Sequence, residues 1–128
     1  MPKILVVDDE AAMRLIISKK IHAAFDVVIT EANGVAEAIS YLQTQSFDFV
    51  ICDYWMDDGV GSEVSQYITE NMKGTPRLVL FSSDNEVVSQ YLRDGVHDAI
   101  LKPNFEGLIS IVHKNIPKQY ALQRRVYE

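Results

Sequence analysis

Phe47-Asp48-Phe49-Val50-Ile51-Cys52-Asp53 decides the fold: an apolar run, too short for a helix, that stops on a carboxylate. Its apolarity, unbroken from Phe49 to Cys52, suits a central strand, Phe47 to Cys52, covered on both faces, because a half-exposed strand would alternate with polar residues. Three other apolar runs stop in a similar way. Ile4-Leu5-Val6-Val7 ends in Asp8-Asp9, Arg77 to Phe81 ends in Ser82-Ser83, and Ala99-Ile100-Leu101 ends in Lys102-Pro103. If these runs are parallel strands of one sheet, all the polar ends meet at one edge, where open α/β sheets bind ligands.

Working outward, the segments between the runs carry helical spacing. A first helix is expected from about Glu10 to Ala23, with Met13, Ile16, Ile17 and Ile21 on its inner face, followed by a strand at Val27 to Thr30. A second helix spans about Val35 to Gln43, with Val35, Ala38, Ile39 and Leu42 inward. Ser62 is expected to cap a third helix, ended by Gly74-Thr75-Pro76, and Asp84 or Asn85 a fourth, ending at Asp94-Gly95. A fifth carries Phe105, Leu108, Ile109, Val112 and Ile116 on one stripe and stops at Pro117. Strand and helix alternate as (βα)5. Short right-handed crossovers then make a doubly wound parallel five-stranded sheet the economical architecture. In the flavodoxin-like strand order 2-1-3-4-5, strands 1 and 3 are neighbours where the winding reverses, so Asp8, Asp9 and Asp53 converge there.

The 128 residues, 48% hydrophobic and 23% charged, fit one globular domain at 1–117, leaving 118–128 as a C-terminal tail or the start of a linker. Ile4 to Val7 is too short for a signal-peptide core, and no apolar stretch approaches membrane-spanning length, so a cytoplasmic protein with no membrane association is expected. The lone Cys52 lies inside an apolar strand and reads as an inert buried thiol. Residues 1–113 carry net charge −9, which argues against direct nucleic-acid binding by the main body. Lys114, Lys118, Arg124 and Arg125 give the end of the chain a basic character best read as a solvated terminal segment. His22, His97 and His113 are dispersed without ligand spacing.

Three ionised carboxylates about 5 Å apart repel by roughly 3 kcal/mol per pair at an effective dielectric near 20, so cations must be close. Lys102 supplies one. An all-oxygen cluster without partnering histidine or cysteine favours a hard divalent ion, Mg²⁺ before Zn²⁺, which keeps open positions for phosphoryl oxygens. A carboxylate so placed can accept a phosphoryl group. Asp53, presented on the central strand, is the best candidate, with Lys102 pairing to a phosphoryl oxygen and Ser82 donating to another. No glycine-rich phosphate loop and no neighbouring histidine base is present, so the protein itself is the nucleophile.

At this point the chain resembles the receiver domain of two-component response regulators, the CheY-like family, over residues 3–116. The resemblance rests on Ile4-Leu5-Val6-Val7-Asp8-Asp9-Glu10, Glu31-Ala32-Asn33-Gly34 with Glu37-Ala38, Phe47 to Asp53, Trp55-Met56, Gly61, Ser82 and Lys102-Pro103. It implies that Asp53 takes its phosphoryl group from a histidine kinase or histidine phosphotransfer protein. It also implies that Asp9, Asp53 and the backbone carbonyl of Trp55 ligate Mg²⁺, with Asp8 acting through water, and that the Lys102-Pro103 peptide is cis. The expected function is a phosphorelay switch that alters partner binding or oligomerisation. Beyond self-phosphorylation and self-dephosphorylation, no turnover enzyme is implied.

Departures from the family pattern are specific. Asp57 stands where proline is usual, followed by Asp58, and the pair reads as a solvated loop. Trp55 is placed to hinder the hydrolytic water and prolong the phosphorylated state. Ala99, three positions before Lys102, removes the aromatic half of the usual switch, and the loop and helix after Ser82 are about two residues short. On the fourth helix, Val87, Val88, Tyr91 and Leu92 make a stripe too wide for one buried face, consistent with a homodimer or effector surface over the fourth helix, fifth strand and fifth helix. The rival readings are an aspartyl-phosphate phosphatase, which would want an acid where Trp55 stands, and a receiver-like interaction module that works without phosphorylation.

Overall fold

Strand β3 (Phe49–Cys52) is fully buried and sits at the centre of a five-stranded parallel sheet, in a computed structural model that describes residues 1–122. It pairs on one side with β1 (Lys3–Val7) and on the other with β6 (Arg77–Ser82). The edges are β2 (Val28–Ala32) beside β1 and β7 (Asp98–Leu101) beside β6. The order β2-β1-β3-β6-β7 is the expected 2-1-3-4-5 order once a small extra hairpin is set aside. That hairpin, β4 (Trp55–Met56) and β5 (Gly59–Val60), turns through Asp57-Asp58. The two-residue strands carried no apolar alternation by which sequence could reveal them.

Alternation along the strands splits the core into two layers. Ile4, Val6, Phe49, Ile51, Val79 and Phe81 face α1 (Ala11–Ala24) and α5 (Phe105–Asn115), which add Ile17, Ile21, Leu108 and Val112. Leu5, Val7, Val50, Cys52 and Leu78 face α2 (Val35–Thr44) and α3 (Gly61–Asn71), which add Val35, Ala38, Leu42, Val64 and Ile68. Helix α4 (Asn85–Asp94) packs Val88 against Leu80 and Ala99 on the same side. Each fully buried aliphatic side chain contributes about 1.5–3 kcal/mol, so the covered sheet dominates the stability.

Local details differ from expectation for physical reasons. Ile16 is 41% exposed and Leu15 53%; the buried face of α1 runs instead through Ile17, Ser18 and Ile21, because the helix buries a narrower stripe than its apolar content suggests. Ser62 does not cap α3. The helix begins at Gly61, and the Glu63 carboxylate reaches back to accept from the backbone N–H of Val60 at 2.8 Å. Asp84, rather than Asn85, caps α4. After α5, Lys118–Tyr120 forms a single 3₁₀ turn, and Ala121 bridges to Phe25 at the end of α1. Arg124 and Arg125 lie outside the described residues. Among the described residues, no helix is long and apolar enough to cross a membrane.

Candidate functional site

The sheet's own hydrogen-bond ladder delivers the site residues. One step beyond the strands, Asp8 N–H donates to the Ala32 carbonyl at 3.1 Å, Asp53 N–H to Val7 at 2.9 Å and Lys102 N–H to Ser82 at 2.8 Å. The polar ends of β1, β3, β6 and β7 are thus held in register at one edge. Carboxylate oxygens of Asp8, Asp9 and Asp53 lie within 4.8 Å of one another. Lys102 Nζ stands 2.9 Å from Asp8 Oδ2 and 3.4 Å from Asp53 Oδ1. An open pocket of about 480 Å³ is lined by these groups except Asp8, with Glu10, Met13, Trp55, Ser82, Ser83 and Pro103.

Burial and charge set the state of the cluster. Burial pushes the Asp53 carboxyl above the usual aspartate range; Lys102 opposes this and the Asp8 charge reinforces it. For Lys102 burial disfavours the ammonium, yet its bond to Asp8 and the charges of Asp53 and Asp8 outweigh that and hold the lysine above its ordinary value. One lysine among three carboxylates leaves the pocket electronegative. The donor set is all oxygen, one member is buried and two are partly open, which fits a hard divalent cation with free coordination positions.

The remaining expected residues take definite places. The Ser82 side chain is buried, and its Oγ accepts from the N–H of Asp84 at 3.1 Å, leaving its hydroxyl proton free to donate. Trp55 is 59% exposed beside the pocket, its indole N–H donating to Asp84 Oδ2 at 2.9 Å. The Lys102-Pro103 peptide is cis, and so is Thr75-Pro76. Cys52 is wholly buried, donates to the Asp53 carbonyl at 3.1 Å and has its thiol pushed far up by burial. His22 and His113 are exposed, and His97 sits beside Thr69 at 3.2 Å, away from the cluster.

Three contributors escaped sequence reasoning. Asp57 and Asp58 are not merely a solvated loop: the Asp57 backbone N–H holds Asp9 Oδ2 at 2.9 Å, and the Asp58 carboxylate takes the N–H groups of Val35 and Ala36 at 2.8 and 3.0 Å. Arg14 grips the Asp8 carbonyl at 2.6 Å and Glu31 at 3.0 Å, bracing the loop after β1. Its place one turn into α1, beside a predicted acidic edge, was the available signal. The bond between Trp55 and Asp84 spans 29 residues and had none.

Residues 4–113 match the family described as the response regulator receiver domain. The chain belongs to the response regulator receiver family. This receiver is 32% identical over 124 residues to the sensory transduction protein LytT of Bacillus anthracis, covering 96% of the chain and 50% of that protein. It is 30% identical over 102 residues to the Regulator of RpoS of Escherichia coli K12, covering 79% of the chain and 30% of that protein. The chain therefore spans half or less of the length of these curated relatives. The response regulator TrrA of Thermotoga maritima, in complex with Mg²⁺ and BeF, superposes with a TM-score of 0.82 at 26% identity, covering 91% of this receiver and all of that chain. A receiver is a signalling domain of two-component systems rather than a conventional enzyme.

Proposed function

We propose that this receiver is a phosphorylation-dependent cytoplasmic switch in which Asp53 is the phosphoacceptor. The observation that carries the reading is the meeting of Asp8, Asp9 and Asp53 within 4.8 Å, with Lys102 contacting both Asp8 and Asp53. A carboxylate oxygen of Asp53 forms a new P–O bond as the P–N bond of a phosphohistidine breaks; the electron pair stays on the imidazole nitrogen, which takes up a proton. The donor is a histidine kinase or a histidine phosphotransfer protein. Asp8, Asp9, Asp53 and the Trp55 carbonyl would hold Mg²⁺, which neutralises charge on the transferring oxygens. Lys102 moves its partnership from Asp53 to a phosphoryl oxygen, and Ser82 donates its hydroxyl proton to another.

Output through α4, β7 and α5 is supported by Leu92, Val96 and Leu101, which are 58%, 59% and 38% exposed, whereas Val88 is buried. This face would bind an effector or a second copy in a phosphorylation-dependent way.

The test is intact-mass measurement after incubation with acetyl phosphate and Mg²⁺, beside Asp53→Asn and a magnesium-free control. Gain of one phosphoryl group only by the Mg²⁺-treated wild type is expected. No gain, together with no response of Trp55 fluorescence to beryllofluoride, would instead favour an interaction module that works without phosphorylation.

A further inference from the structure

Besides the backbone bond in which its carbonyl accepts from the Val88 N–H at 3.1 Å, Asp84 makes four hydrogen bonds, two toward the pocket and two into α4. Its Oδ2 accepts from the indole N–H of Trp55 at 2.9 Å, and its own N–H donates to Ser82 Oγ at 3.1 Å. Its Oδ1 accepts from the backbone N–H groups of Glu86 at 3.0 Å and Val87 at 3.2 Å, capping the helix. Trp55 and Ser82 both line the acceptor pocket.

A second line of contacts runs beside the first. The Trp55 ring meets Tyr54 edge-on at 4.8 Å between centroids, and Tyr54 meets Tyr91 of α4 edge-on at 6.4 Å. The Tyr91 hydroxyl lies 2.9 Å from Ser65 Oγ and 3.3 Å from Ser62 Oγ on α3. Tyr54 and Tyr91 pack on Leu80, Val88 and the small, buried Ala99. The aromatic link to α4 therefore comes from the chain after β3, not from β7.

We propose that Trp55 and Asp84 form the latch through which the state of the Asp53 pocket reaches α4. The inference rests on the phosphoacceptor reading and supplies its means of output. A group on Asp53 sits two residues from Trp55 and draws on Ser82. Ser82 Oγ, turned into the pocket, lets go of the Asp84 N–H, while movement of the loop after Asp53 pulls on the indole. Both pocket-side partners of Asp84 change together, and its carboxylate cannot follow them and keep its aim on Glu86 and Val87. The first turn of α4 is the part of that helix whose N–H groups have no partner within the helix, so it responds first. A single neutral-donor bond to an exposed carboxylate contributes little to global stability, which lets it make and break without unfolding anything.

The experiment uses the ¹⁵N-labelled full chain with Mg²⁺, titrated with beryllofluoride, with bound ¹⁹F resonances giving the occupancy. The single tryptophan yields one indole cross-peak. In the wild type, that peak and the Glu86 and Val87 amides should shift together. Trp55→Phe keeps a ring but no N–H donor. Asp84→Ser keeps a capping hydroxyl too short to hold the indole as well. At saturation each variant should reduce the α4 amide shifts to about a third of wild type or less, and the double variant should reduce them no further, because the two residues act as one element. Undiminished α4 shifts in Trp55→Phe, or losses that add in the double variant, overturn the latch. Absence of bound ¹⁹F signal in the wild type removes the phosphoacceptor reading instead, and the latch with it.

Discussion

Oδ1 of Asp58 lies 2.8 Å from the backbone nitrogen of Val35, 23 residues earlier in the chain, and so caps helix α2 from the tip of the β4–β5 hairpin. Gly34 makes room for it: a Cβ there would overlap the Asp58 carboxylate. The N–H groups of Ala36 and Val35 hold the Asp58 carboxyl below the usual aspartate range. A depressed folded-state pKa stabilises above the ordinary value, and the gain is lost as pH falls through the lowered one. Asp58→Ala should therefore cost about 0.5–1 kcal/mol at neutral pH, the low end for a lost cap because the site is exposed. In urea titrations the difference from wild type should vanish in strong acid.

Lys102 is the cation that touches both Asp8 and Asp53. Lys102→Ala leaves an almost wholly buried Asp8 carboxylate without its partner. Loss of about 3 kcal/mol is expected in metal-free buffer, the scale for breaking a buried pair. Mg²⁺ should restore more stability to this variant than to the wild type, measured as the shift in urea midpoint. Since the lysine is held above its ordinary 10.5, its contribution should persist through neutral pH and disappear only as pH climbs through that raised value.

Asp53 is under the opposite stress. Burial, then the Asp8 charge, raise its pKa against the pull of Lys102. The folded state thus holds the Asp53 proton more tightly than the unfolded chain, so ionising Asp53 costs stability as pH rises above 3.8. Without Mg²⁺, Asp53→Asn should stabilise the neutral-pH protein by on the order of 1 kcal/mol, with the gain shrinking in acid. A thermal-melt series across pH reads this directly, and a destabilised variant at neutral pH would contradict it.

Trp55 lines the same pocket as Asp53, with its ring tied to Asp84. On the proposed phosphoacceptor reading, its bulk would limit the approach of water to a phosphoryl group on Asp53. Trp55→Asn should shorten the lifetime of the phosphorylated protein by about tenfold, equivalent to roughly 1.4 kcal/mol of barrier. Loss of phosphoryl mass with time after removal of the donor provides the measurement.

Gly61 is required by close approach. Its N–H donates to the Tyr54 carbonyl at 2.7 Å, and a Cβ would overlap the carbonyl oxygen of Asp53 and press on Leu80. Gly61→Ala should cost about 1–3 kcal/mol by forcing the backbone apart. It should also slow phosphoryl acceptance from acetyl phosphate, because the displaced segment carries Asp53 and Trp55.

Short-range pattern by itself determined the alternation of five strands and five helices and the convergence of Asp8, Asp9, Asp53, Ser82 and Lys102 at one edge, whereas the strand order comes from the flavodoxin-like winding that such alternation commonly adopts. The alternation follows from short unbroken apolar runs set between segments with a 3.6-residue period, and the convergence from the rule that parallel strands end at one edge, so neighbouring residues suffice to read them. Tertiary structure alone decided which apolar residues of α1 stay outside, how Asp58 finds Val35, how Arg14 braces Asp8 and how Trp55 finds Asp84. The bonds from Asp58 to Val35, from Arg14 to Glu31 and from Trp55 to Asp84 join residues far apart in the chain, and their geometry exists only after the sheet has fixed both ends. The hairpin from Trp55 to Val60 belongs with them. Its strands are too short for a hydrophobic pattern, yet it carries the indole and the capping carboxylate that join the acidic edge to α4 and α2.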